Sequence, residues 1–181
     1  MKTALLIVDV QNDFCPGGSL AVKEGDHVVP VINSIADKFD FVISTQDWHP
    51  TDTVHFEYWP VHCVADTNGS AFHPDLDVEK IDLKLLKGSE NKDDGYSAFE
   101  ATNVNLAEYL KKNNIGTVFV VGLTTDYCVR ASALDAVEAG MKTFVVTDAI
   151  RPVNLKPTDG EEALKEMQDK GIVLVASDEI V

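Results

Sequence analysis

The sequence has 181 residues, of which 45% are hydrophobic and 25% are charged, and its formal net charge at pH 7 is −15. The length predicts one domain over residues 1–181, and the negative charge argues against nucleic acid and anionic membranes as partners. No apolar run is as long as a membrane span, and the three cysteines do not suggest a disulfide framework. Because the first residues lack the pattern of a signal peptide, we expect a cytoplasmic protein, and the question of a homo-oligomer stays open.

Short apolar runs and helical patterns alternate along the chain. This rhythm predicts an α/β fold in which a mostly parallel sheet is covered by helices on both faces. Asp26 is expected to cap the first helix, and Thr158 is expected to form a capping box with Glu161 at the last. The strands are predicted at 4–8, 41–44, 81–86, 117–121, 143–146 and 172–175, and the helices at 28–39, 106–112, 129–139 and 161–170.

Chemically reactive side chains follow four of the predicted strands. In chain order they are Asp9, Asp47 with His49, Lys87, and Cys128. In open parallel sheets ligands bind beyond the carboxyl ends of the strands, so we expect these groups to form one site. The irregular stretch 46–80 is long for a compact domain, which is typical of a functional loop.

Cys128 has the sequence surroundings of a nucleophile. It lies where an apolar strand passes into a helix that Thr124, Thr125 or Asp126 can cap, so it falls in the first turn of that helix. Free N–H groups and the helix dipole favour a thiolate there. The alternative is a buried cysteine that only packs, which is the commoner role of a lone cysteine.

Asp9 and Lys87 carry the groups that such a thiol needs. A carboxylate beside the thiol can take its proton and later return it to a departing amine. A lysine ammonium would hold Asp9 ionised and favour the thiolate. Taken singly, each residue has an ordinary alternative: Asp9 as a turn-forming carboxylate, and Lys87 as a solvated strand end.

Asp47, His49 and His62 form a candidate metal site. The first two stand at positions i and i+2, which share one face of an extended segment, and His62 adds a second imidazole. One carboxylate and two imidazoles suit a divalent transition metal that keeps open positions. His55 and His73 are further candidates that the sequence does not place.

Phe14, Trp59 and Tyr96 lie in the same loops as these groups. We predict that they form apolar walls for a flat ring, which is the usual composition of a small-molecule pocket. The alternative is core packing beneath the long loop.

Six segments together carry a family signature: Asp-Val-Gln-Asn-Asp-Phe at 9–14, Asp-Trp-His-Pro at 47–50, Trp-Pro-Val-His-Cys-Val at 59–64, Lys87, Tyr-Ser-Ala-Phe at 96–99, and residues 122–136. In this order and spacing they resemble the nicotinamidase/pyrazinamidase branch of the isochorismatase-like cysteine hydrolases. The resemblance extends from residue 4 to about residue 150, and its motifs are specific in combination.

The resemblance implies a three-layer fold with a six-stranded parallel sheet and a catalytic triad of Asp9, Lys87 and Cys128. It also implies an oxyanion hole formed by the backbone N–H groups of Thr124 and Cys128. A cis peptide bond is expected between Leu123 and Thr124.

The resemblance further implies one divalent transition metal ion on Asp47, His49 and His62. Zinc is the expected ion, with iron and manganese as alternatives. His55 departs from the family pattern, which often has a smaller polar residue at this place. It is either an added ligand or a neighbour of the ligands, so the coordination number stays open.

The implied reaction is the hydrolysis of nicotinamide to nicotinate and ammonia through a thioester on Cys128, with the metal orienting the pyridine ring. Pyrazinamide is an expected second substrate, and NAD salvage is the implied pathway. The alternatives are a related amidohydrolase of carbamoyl or ureido compounds, an isochorismatase, a binding module without turnover, and a metal-dependent hydrolase in which Cys128 only packs. The metal ligands disfavour the first, Cys128 disfavours the second, and the complete triad disfavours the third.

Overall fold

A six-stranded sheet forms the centre of the computed structural model, which describes residues 1–181. The strands are β1 (Lys2–Val8), β2 (Phe41–Asp47), β3 (Leu83–Lys87), β4 (Ile115–Leu123), β5 (Lys142–Arg151) and β6 (Val173–Val175). Their order in the sheet is β3-β2-β1-β4-β5-β6, and every neighbouring pair is parallel. The predicted α/β fold is therefore confirmed, and all six strands present their carboxyl ends to the same edge.

Helices cover both faces of this sheet. They are α1 (Val28–Ile35), α2 (Leu106–Lys112), α3 (Arg130–Glu138) and α4 (Asp159–Asp169). Successive side chains of β1 alternate between two cores: Leu5 packs in the core that contains α1, and Leu6 in the core that contains α2, α3 and α4. Because both faces are buried, the strands are apolar along most of their length.

Several element boundaries and helix caps differ from the sequence prediction. β2 continues to Asp47 and β5 to Arg151, beyond the predicted ends of these strands. The predicted caps are wrong. A 3₁₀ turn precedes α1 and makes His27 its N-cap residue in place of Asp26, and Thr158 donates to the Glu162 carboxylate at 2.9 Å instead of forming a capping box with Glu161.

The long connection between β2 and β3 is ordered by packing against the α1 face of the sheet. Cys63 and Leu76 of this connection are buried in the same core as α1, and Phe72 packs against that core. The connection includes two 3₁₀ turns, Val54–Glu57 and Val78–Lys80.

None of the helices in the fold combines the length and apolar character needed to traverse a bilayer.

Gly122 allows β4 to approach β1 at the end of the sheet that carries the reactive groups. Its φ is +106°, and a Cβ atom at this position would lie 2.1 Å from the carbonyl oxygen of Val8. Val8 pairs with Gly122 and directly precedes Asp9. A side chain at position 122 would therefore displace the strand end that carries Asp9.

We expect Gly122→Ala to lower the free energy of unfolding by about 2–5 kcal/mol, the sum of overpacking and a left-handed backbone. Gly140→Ala is the matched control, because Gly140 also has a positive φ of +82° but open space where a Cβ atom would lie. It should lose only about 1–2 kcal/mol. Urea denaturation followed by circular dichroism measures both. If both variants lost the same free energy of unfolding, the close contact between position 122 and Val8 would contribute nothing to the destabilisation.

Candidate active site

The carboxyl edge of the sheet brings together the four predicted groups. Asp9 follows β1 in a left-handed backbone conformation with a φ of 48°, which Asp tolerates better than most residues. Asp47 and Lys87 end β2 and β3 and pair directly in the strand register. Cys128 lies in a π-helical turn, Thr125–Val129, between β4 and α3.

The ammonium group of Lys87 is the centre of this cluster. Its Nζ lies 2.7 Å from Asp9 Oδ2, forms a second ion pair with Asp47 Oδ1, donates to the carbonyl oxygen of Gly95 at 2.7 Å, and lies 3.5 Å from Cys128 Sγ. The side chain is completely buried. Burial by itself would lower the pKa of Lys87, but Asp47 and Asp9 outweigh it and raise that pKa well above its usual value. Lys87 is therefore a permanent cation.

Both carboxylate oxygens of Asp9 contact a polar group. Thr45 donates its hydroxyl to Asp9 Oδ1 at 2.6 Å, while Oδ2 faces Lys87. Burial raises the pKa of Asp9 to about 6, against the opposing effect of Lys87. A carboxyl group with this pKa can both take and return a proton near neutral pH.

The pKa of Cys128 shifts in the direction opposite to the one expected from its place in the helix. Burial raises the pKa of its thiol well above the usual range, although Lys87 acts in the opposite direction. Burial therefore opposes the thiolate that the sequence position favours. The Asp9 and Asp47 carboxylates and Cys128 Sγ lie within 4.8 Å of one another, so a base stands beside that thiol.

The turn around Cys128 is held by the Asp126 side chain, which contacts the backbone of a neighbouring segment. Thr124 is its N-cap residue but makes no side-chain cap. The Asp126 carboxylate accepts instead from the N–H groups of Val153 at 2.9 Å and Asn154 at 2.8 Å. The peptide bond between Leu123 and Thr124 is cis, as predicted. The Thr124 N–H makes no hydrogen bond within the protein. Thr124 and Cys128 both line the pocket described below.

Three buried histidines converge beside the Lys87 cluster. One ring nitrogen each of His49, His55 and His62 lies within 4.8 Å of the others. The Nε2 atoms of His49 and His62 lie 3.6 Å and 3.8 Å from Asp47 Oδ2. The structure thus brings the three predicted metal ligands together and adds His55 to them. His73 is not in this group, because it lines a separate surface groove.

Each of these histidines has its Nδ1 atom engaged by an oxygen acceptor. The acceptors are the carbonyl oxygen of Gly88 for His49 at 2.8 Å, that of Pro60 for His62 at 2.6 Å, and the Asp93 carboxylate for His55 at 2.8 Å. An Nδ1–H that donates leaves Nε2 with its lone pair, which is the arrangement of metal-binding histidines. Burial and then the charge of His49 lower the pKa of His55, which favours its neutral form.

The residues present fit a divalent transition metal ion. His49 Nε2 is buried without a hydrogen-bond partner, which is costly unless a ligand satisfies it. Gly88 makes room for this ring, since a Cβ atom there would lie 2.5 Å from His49 Cε1. Imidazole nitrogens with one carboxylate form a donor set used for zinc, iron and manganese.

An aromatic pocket opens between the thiol and the histidines. The predicted walls Phe14, Trp59 and Tyr96 all line it, and the Trp59 indole donates to the Tyr96 hydroxyl at 3.1 Å. Sequence reasoning missed Tyr127, whose ring meets Trp59 edge-on at 4.9 Å, although its position next to Cys128 was a usable signal. The full lining is Phe14, Leu20, Asp47, His55, Trp59, His62, Asp94, Gly95, Tyr96, Thr124, Tyr127, Cys128 and Val153.

Comparison with known proteins identifies the family of this chain. The model of the Isochorismatase domain family matches residues 3–179. A nicotinamidase/pyrazinamidase of Mycobacterium tuberculosis is 41% identical, with 96% of this chain and 98% of that protein covered. A solved nicotinamidase/pyrazinamidase of Acinetobacter baumanii is 39% identical with a TM-score of 0.94, covering 99% and 98% of the two chains. The pyrazinamidase of Pyrococcus horikoshii, solved in complex with zinc, is 39% identical with a TM-score of 0.88, covering 97% and 99%.

Proposed function

The chain belongs to the isochorismatase domain family, and we propose that it is a nicotinamidase that hydrolyses nicotinamide to nicotinate and ammonia. Pyrazinamide, which has the same carboxamide on a flat nitrogen ring, is a second substrate. One observation carries the proposal: a buried thiol, 3.5 Å from a lysine that is paired with Asp9, faces an aromatic pocket whose other side is formed by histidines.

The first half of the reaction forms a thioester on Cys128. The Asp9 carboxylate takes the thiol proton, and the sulfur attacks the amide carbon of the substrate. The N–H groups of Thr124 and Cys128 stabilise the negative oxygen that results. Asp9 then gives its proton to the amide nitrogen, the carbon–nitrogen bond breaks, and ammonia departs.

The second half returns the enzyme to its starting state. Asp9 takes a proton from water, and the hydroxide attacks the thioester carbon while the same two N–H groups hold the oxygen. The carbon–sulfur bond breaks, Cys128 recovers its proton from Asp9, and the nicotinic acid that forms becomes nicotinate by releasing its proton to water. Lys87 does not transfer a proton in this scheme, since its raised pKa keeps it charged, and it holds Asp9 in place throughout.

Asp47, His49, His62 and His55 would hold the metal ion. When bound, a divalent metal supplies a Lewis-acidic contact for the ring nitrogen of the substrate. The chain's own residues do the remaining orientation, because Phe14, Trp59 and Tyr96 restrict a flat ring to the space between the histidines and Cys128. Activation of the nucleophile does not require the metal, since Asp9 stands beside the thiol.

Cys128→Ala should abolish ammonia release from nicotinamide, with a loss of about 10⁴-fold or more, because no other group can form the acyl intermediate. A coupled ammonia assay on zinc-loaded protein measures this. Cys15→Ala is the control, since Cys15 is also buried but lies outside the pocket and should leave the rate unchanged.

Two results would contradict the proposal in different ways. Full activity of Cys128→Ala, or of protein alkylated at Cys128 by iodoacetamide, would exclude the thiol mechanism and leave a metal-dependent hydrolase. Absence of ammonia release by the wild type would exclude nicotinamide as the substrate. Carbamoyl and ureido amides would then be tested on the same triad.

The pH dependence should report the ionisation of Asp9. Since the reaction begins with ionised Asp9, kcat/KM should fall as the pH drops through about 6. Thr45→Val removes the hydroxyl that stabilises the carboxylate, so the acid limb should move to higher pH by about one unit. Thr45→Ser keeps the hydroxyl and should retain the wild-type profile. Identical acid limbs for the valine and serine variants would show that Asp9 does not set this pH dependence.

A further inference from the structure

Asp93 connects a metal-facing histidine to the wall of the ring pocket. Its Oδ1 atom accepts two hydrogen bonds, one from His55 Nδ1 at 2.8 Å and one from the Tyr96 hydroxyl at 2.9 Å. The Tyr96 hydroxyl in turn accepts from the Trp59 indole at 3.1 Å. These four side chains form a continuous hydrogen-bonded chain, here called the Trp59–His55 chain.

His55 is the only one of the three converging histidines that depends on a side chain for its orientation. His49 and His62 donate to the backbone carbonyl oxygens of Gly88 and Pro60. A backbone acceptor is fixed by the fold, whereas the Asp93 carboxylate is a replaceable group on a loop. A carboxylate acceptor also raises the basicity of the opposite ring nitrogen.

We propose that Asp93 is a positioning residue for metal binding, which holds His55 as the Nδ1–H tautomer with Nε2 facing His49, His62 and Asp47. Through Tyr96, the same carboxylate fixes the pocket wall relative to the metal-facing atoms. This inference rests on the proposed metal site, and it adds to that site a residue outside the ligand set.

The loop that carries Asp93 is anchored without it. Asn91 Oδ1 accepts from the N–H of Val54 at 2.7 Å, and the carbonyl oxygen of Lys92 accepts from the Thr53 hydroxyl at 3.4 Å. The Asp93 side chain is 38% exposed, so water can replace its contacts at little cost to folding. Removing this carboxylate should therefore alter His55 and not the fold.

The test is a titration of chelator-treated protein with zinc ion alone, in competition with a chromophoric chelator. Asp93→Ala should weaken zinc binding by about 10–100-fold, the usual cost of losing the partner of a ligating histidine. Asp93→Asn keeps an oxygen acceptor without the charge and should fall between Asp93→Ala and the wild type. Thermal unfolding of the metal-free variants should match that of the wild type.

Glu57→Gln is the matched control. It removes one negative charge two residues from His55, but the Glu57 side chain is exposed and makes no hydrogen bond or ion pair. Its zinc affinity should equal that of the wild type, which separates the specific contact of Asp93 from a general effect of charge.

The outcomes separate this inference from the proposal beneath it. Wild-type protein that binds one zinc ion with an affinity unchanged in Asp93→Ala would overturn the role of Asp93 and leave the metal site intact. A weakening shared equally by Glu57→Gln would also overturn it. Wild-type protein that binds no zinc would overturn the metal site and the Asp93 role together, while the Cys128 assay would still decide the amidase activity.

Discussion

The site depends on one buried ammonium group. Lys87 is completely buried, and its charge is tolerable because it forms ion pairs with Asp9 and Asp47 at the ends of two adjacent strands. The two carboxylates share this one cation, but their pKa values shift in opposite directions. Lys87, His49 and His62 outweigh burial and lower the pKa of Asp47 well below its usual value, whereas burial prevails at Asp9 and raises its pKa to about 6. The lowered pKa keeps Asp47 ionised, whereas the raised pKa allows Asp9 to gain and lose a proton near neutral pH.

Burial and the same charge balance raise the pKa of the Cys128 thiol. Two carboxylates and one ammonium leave an excess of negative charge next to Cys128, and burial removes the water that would stabilise a further anion. Lys87 acts in the opposite direction but does not reverse the shift. In the proposed reaction Asp9 therefore takes the thiol proton, and its ion pair with Lys87 at 2.7 Å keeps it in place.

Sequence reasoning identified most residues of the site but did not find the contacts that join one irregular segment to another. Parallel strands must bring their carboxyl ends together, so Asp9, Asp47 and Lys87 could be assigned to one edge from the strand pattern alone. The contact between His55 and Asp93 joins residues 38 positions apart in two irregular segments, and no periodicity indicates it. The failed caps and the pKa of Cys128, which shifts against the expected direction, have a related cause. A cap depends on the local direction of the chain, and an ionisation state depends on burial and on all charges nearby.

The walls of the pocket are attached to the reacting groups themselves. Asp126 lies two residues before Cys128 and accepts a hydrogen bond from the N–H of Val153, which lines the pocket, so this contact connects the Cys128 turn to that wall. On the opposite side, the Trp59–His55 chain ties the aromatic wall to the metal-facing histidines. In the proposed function, a flat ring would therefore lie between surfaces that are connected to the thiol and to the metal-facing atoms. Even small misplacements of a substrate reduce the rate strongly. Because the pocket walls are connected to the groups proposed to react, a ring that fits the walls would also be aligned with those groups.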